Sequence, residues 1–181
     1  WVDFEWLVEE TIRQIPAEDR AASADAVRGF MNPNTQLMFT LIAVVLMTLV
    51  IYLIEAIYFH LANKVTTGAD IGFGQWFNFA AWTAFVGVFG TLAAFVLLFT
   101  SDTNQIATQD LQVLSINNLI LNAPSDSPWF TWGSSLTLIN FWMLALMSIG
   151  YARWTGASMV KSTIIACLPW VLIFGIWAAT I

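Results

Sequence analysis

The sequence predicts an all-α fold, a polytopic transmembrane helical bundle, and three observations predict it. The 181 residues are 59% hydrophobic and only 10% charged, with a mean hydropathy of +0.73, too little charge to cover a soluble domain of this size. The run from Thr35 to Leu61, TQLMFTLIAVVLMTLVIYLIEAIYFHL, holds one formal charge, Glu55. At 1.5 Å per residue it is long enough to cross a hydrocarbon core roughly 30 Å thick. Ten Trp add weight, because the indole favours the headgroup region, where its body is apolar and its edge wet. In lipid, every backbone polar group must be satisfied within its own segment, so the other apolar runs are expected to be helices as well.

In chain order, residues 1–34 read as an extracytoplasmic amphipathic helical hairpin and 35–181 as the transmembrane domain. WVDFEWLVEETIRQI places Phe4, Leu7, Val8, Ile12 and Ile15 at helical spacing, with Glu5, Glu9, Glu10 and Arg13 largely opposite. Pro16 stands where a second helix could start. AEDRAASADAVRGF then runs from acid to base, as the helix dipole prefers, before Gly29 and an Asn32-Pro33-Asn34 turn.

Membrane helices are expected over about 35–61, 73–100, 135–152 and 162–181, the last kinked or unwound near Pro169. Within the second, Thr83, Gly87, Gly90, Thr91 and Ala94 form a small-residue face that lets another helix approach, and this face is expected to be the packing seam. The stretch 103–121, DLQVLSINNLIL at its heart, is too apolar for a free linker and too short and polar to span. It is expected to lie in the interface as a short amphipathic helix or to dip in partway, followed by the aromatic anchor Trp129, Phe130 and Trp132.

Lys64 marks one short loop and Arg153 with Lys161 another, while the long loop between helices two and three has only Asp102, Asp110 and Asp126. The positive-inside rule therefore puts the two basic corners in the cytoplasm. The hairpin expected outside does carry Arg13, Arg20 and Arg28, but among many carboxylates. A net charge of −6 with scattered basic residues excludes a nucleic-acid partner. Cys167 is the sole cysteine and reads as a small core residue.

Glu55 is the sharpest candidate. An ionisable group in a membrane segment is costly and marks a functional or pairing site. Three readings stay open: a structural ion pair with Arg153 or Lys161, proton or cation binding, or a neutral acid facing lipid near the interface. His60, about 140° further round the helix, shares no face with Glu55. With no second His and no HExxH or CxxC pattern, no metal site is expected. Asn78 and Asn140 read as interhelical hydrogen-bond donors. Ser134, Ser135 and Ser148 have no base at a motif spacing, so catalysis has no support, and GADIGFG lacks the Lys of a phosphate loop; no cofactor is expected.

The C-terminal half, LINFWMLALMSIGYARWTGASMVKSTIIACLPWVLIFGIWA, resembles the last two helices of the bacterial branch of the Yip family, the Ypt/Rab-interacting membrane proteins. GADIGFGQWFNFAAWTA and DLQVLSINNLILNAPSDSP fit the same family. One departure is Phe85, which stands where the family has a proline. The resemblance implies a five-helix membrane domain with a cytoplasmic N-terminus, whose second to fifth helices are those read here and whose first would precede Trp1. It also implies Rab interaction for eukaryotic relatives, through a cytoplasmic region that this chain does not show, so that activity is not carried over. The expected function is a non-enzymatic scaffold or accessory subunit in a bacterial inner membrane, with lipid and other membrane proteins or a second copy as partners. The alternative is a small transporter or channel component using Glu55.

Overall fold

A computed structural model describes residues 3–31 and 33–181, and among these every regular element is helical. Trp1, Val2 and Asn32, parts of the expected hairpin and its turn, lie outside the described residues. The chain divides into two compact units that cut across the expected boundary at residue 34: Trp1–Val50 with Val96–Leu111, and Ile51–Phe95 with Gln112–Ile181.

The first unit opens with α1, Phe4–Arg13, whose N-cap Asp3 accepts from the Trp6 amide at 3.0 Å. α1 buries Val8 and Ile12, two of the residues at helical spacing. α2, Ala17–Phe30, buries nothing but is tied to α1 by charge: Arg28 reaches Glu9 at 3.0 Å, and the Arg20 guanidinium closes the hinge on the Arg13 and Ile15 carbonyls. At the unit's other end, Thr108–Leu111 make a 3-10 turn.

The long helix α3 covers Pro33–Thr66, five residues beyond the expected end. It stops where Gly68, at φ +64°, lets its own amide turn back to the Asn63 carbonyl at 2.8 Å. The second membrane helix comes in two parts, α4 (Phe73–Ala84) and α5 (Val88–Thr100), joined by a 3-10 turn at Phe85–Gly87. α6, Pro128–Ser135, was not expected as a helix, although Ser127 followed by Pro128 is an N-cap and first-position pair. α7, Leu138–Thr155, is closed at its start by the Thr137 and Asn140 capping box and at its end by Gly156, φ +72°. α8, Met159–Thr180, stays α-helical through Pro169. The tightened turn falls at Phe85–Gly87, so the unwinding expected at the proline is absent there.

Three described helices are long and apolar enough to cross a membrane: Leu37–Thr66, Phe73–Thr100 and Met159–Thr180. The fourth expected span corresponds to α7, which is shorter at 18 residues and carries Asn140, Tyr151, Arg153 and Trp154. The single interfacial helix expected over 103–121 does not form. In its second-unit part, Leu114 and Ile116 instead pair with Leu138 and Leu136 through backbone bonds of 2.9 and 2.7 Å, and a π turn follows at Asn117–Leu121. The pairing takes the Leu114 carbonyl and the Ile116 amide, so no continuous helix runs through these residues, and helical bonding resumes only with the Leu119 amide on the Ser115 carbonyl at 3.0 Å.

The core of the second unit is aromatic. Trp76 stacks on Phe59 at 5.9 Å and on Tyr151 at 5.5 Å, those two rings also meet at 5.9 Å, and Phe79 stands edge-on to both Phe59 and Trp76. Ala56, Met147 and Ala166 fill the space around these rings.

Candidate functional site

One face of α3 advances from Glu55 through Tyr58 and Phe59, and α7 and α8 complete the walls of a pocket of about 140 Å³ with Met147, Pro169 and Trp170. The lining is overwhelmingly apolar. A proline inside a helix leaves the carbonyl four residues earlier without its amide partner, here Ile165. The Tyr58 hydroxyl donates to that carbonyl at 2.6 Å and satisfies it across the helix interface. The same bond fixes the Tyr58 ring as a wall of the pocket.

Glu55 contributes the only carboxyl to this lining, and its buried Oε2 has no hydrogen-bond partner. The basic residues expected beside it are engaged or located elsewhere. The Lys161 Nζ donates to the Thr66 carbonyl at 2.7 Å, and Thr66 lies eleven residues beyond Glu55, about 16 Å along α3. Arg153 is exposed in the last turn of α7. Among the described residues, the ion pairs are those of Arg13 and Arg28 in the first unit. Because α3 runs past Leu61, Glu55 lies deeper from its end than the sequence boundary implied.

His60 stands edge-on to Phe73 at 6.1 Å, and its buried Nδ1 has no partner. No group of three or more His, Cys, Asp or Glu side chains that could hold a metal ion occurs among the described residues. Asn140 is spent on helix capping, its Oδ1 accepting from the Thr137 amide and hydroxyl at 2.7 and 2.8 Å, and Asn78 is exposed, so neither makes the expected interhelical bond. Ser148 donates to the Leu144 carbonyl of its own helix at 2.7 Å.

Of the small-residue face, Thr83 is buried, and a Cβ built on Gly90 would sit 3.5 Å from Ile139. Ala94 is half-buried, Thr91 is exposed and Gly87 faces open space. The closest approaches belong to glycines outside that face. A Cβ on Gly150 would fall 2.5 Å from a ring carbon of Phe79, and one on Gly133 would fall 2.7 Å from Leu121. Tyr58 and Trp170 were not singled out by sequence, and Pro169 was singled out only as an expected kink or break in the last helix. Tyr58 follows Glu55 by three residues, on the same helix face, and that spacing was the available signal.

Length and apolarity thus define an integral membrane protein, helical throughout its described regular elements, with a carboxyl-bearing pocket between helices. The Yip1 domain family matches residues 4–180, nearly the whole chain, and the protein belongs to that family. No curated protein and no solved structure matched the chain.

Proposed function

We propose that this Yip1-domain protein is a non-enzymatic scaffold or accessory subunit of a membrane assembly, resident in a bacterial inner membrane. The observation that carries this reading is the dryness of the second unit's core. Thr83 and Ser148 spend their hydroxyls on their own helices, Thr83 on the Phe79 carbonyl at 2.9 Å, the Tyr58 hydroxyl is spent on the Ile165 carbonyl, and rings and methyl groups occupy most of the space between helices. A carrier needs polar groups from several helices converging near mid-depth. In this reading α7 is a fourth span, since 18 residues rise about 27 Å. The corners at Lys64 and at Arg153 with Lys161 then face the cytoplasm. One observation favours the second reading, a small transporter or channel component: the unpartnered oxygen of Glu55.

Gentle isolation from native membrane, with crosslinking before extraction, should recover a stoichiometric membrane neighbour, and proteoliposomes of the purified chain should show no flux that Glu55→Gln abolishes. Glu55-dependent flux without a neighbour would replace the scaffold by the transporter. Cysteine labelling that found the Asp102 to Asp126 region on the same side as Lys64 would overturn the topology.

A further inference from the structure

We propose that the Glu55 pocket binds a small organic ammonium group. The charge requirement comes first: a carboxyl with an oxygen buried and unpartnered is costly to keep charged, and a cation in the pocket that Glu55 lines cancels much of that cost. This chain does not supply the cation. Lys161 is held at Thr66, Arg153 is exposed in the last turn of α7, and Arg13, Arg20, Arg28 and Lys64 are likewise absent from the pocket lining.

The walls then choose among cations. A bare metal ion needs several oxygen ligands, and this lining offers one carboxyl and a phenol already donating to Ile165. An alkylated ammonium is satisfied by one carboxylate and by aromatic faces, and Tyr58, Phe59 and Trp170 supply three rings. The volume of about 140 Å³ suits a group of a few heavy atoms, and no basic side chain in the lining would recruit an anion. The ammonium can be that of a free amine or of an ethanolamine lipid headgroup, and the site is the same for both. The assignment does not depend on whether the protein is a scaffold.

The test uses the full chain in detergent, with n-butylammonium as probe and n-butanol and sodium chloride as controls. Butylammonium should raise Tm saturably by about 2 °C or more. The neutral alcohol and sodium should not, and the response should vanish in Glu55→Gln and weaken in Trp170→Leu. A measurement on the unaltered protein guards against a variant that fails to fold: labelling of Glu55 by dicyclohexylcarbodiimide, read by mass spectrometry, should fall severalfold as butylammonium is added. In nanodiscs, protection by phosphatidylethanolamine relative to phosphatidylglycerol, without added amine, identifies a lipid headgroup as the source. Equal labelling in the two lipids, with protection only by butylammonium, identifies a free amine. A thermal response that persists in Glu55→Gln, or labelling that butylammonium leaves unchanged in detergent and in both lipids, overturns the site.

Discussion

The Tyr58 hydroxyl donates to the Ile165 carbonyl at 2.6 Å, and that carbonyl is the one that Pro169 leaves without a helical amide. The bond explains how α8 carries a proline inside a membrane segment and stays helical. In hydrocarbon an orphaned carbonyl finds no water, so a neighbouring helix has to satisfy it. The missing amide and the phenol are therefore two halves of one device.

Tyr58→Phe should destabilise the protein by about 1 kcal/mol, the scale of an interhelical hydrogen bond in a membrane. In a Pro169→Ala background the helix supplies its own amide to Ile165, and the same Tyr58→Phe change should cost much less. Unfolding in detergent of the two single variants and the double variant checks this through the coupling energy. Equal cost in both backgrounds would mean that the phenol does not compensate the proline.

Gly150 faces Phe79 so closely that a methyl group would meet a ring carbon at 2.5 Å, and that ring is wedged against Phe59, Trp76 and Trp154. Gly150→Ala should therefore cost about 1–3 kcal/mol by overpacking, and Phe79→Leu should relieve part of it. Gly87, with nothing near its missing side chain, should accept Ala within about 0.5 kcal/mol. Melting in detergent ranks the two, and a reversed order would place the helix contact on the face containing Gly87.

That pair shows what was legible in the sequence. Hydropathy and length located α3, α8 and the Phe73–Thr100 stretch within a few residues, because a membrane crossing has a fixed apolar length. Spacing of small residues marked a face containing Thr83 and Gly90, yet it could not show that the tight contact uses Gly150, since closeness depends on which large side chain stands opposite. The same limit governed the site. Glu55 stood out as a lone charge, but the lysine proposed for it was engaged about 16 Å away along α3, a matter of helix register that composition does not encode.

Lys161 caps α3 with a charged donor, where the helix dipole favours a cation, so Lys161→Met should cost about 1 kcal/mol and speed amide exchange in the last turn before Gly68. Because Glu55 lies far from that ammonium, the costs of Glu55→Gln and Lys161→Met should add within about 0.5 kcal/mol. A larger coupling in detergent unfolding would revive the ion pair between them.

The π turn before α6 rests on Asn117, which is buried. Its carboxamide accepts from the Ala123 amide at 3.0 Å and donates to the Ala123 carbonyl at 3.3 Å, while its own carbonyl accepts from Asn122 at 2.7 Å. The turn closes because Asn122 takes a left-handed conformation, φ 48°, which Asn and Gly tolerate and β-branched residues do not. Asn122→Gly should then be nearly neutral, whereas Asn122→Val should cost about 1–2 kcal/mol in strain. Asn117→Ala should cost a similar amount by stranding both Ala123 groups. Since these bonds close one turn, both damaging variants should raise hydrogen exchange over residues 115–123 while leaving the core around Trp76 protected. Exchange that rose equally in both places would mean that the turn and the aromatic core unfold as one unit.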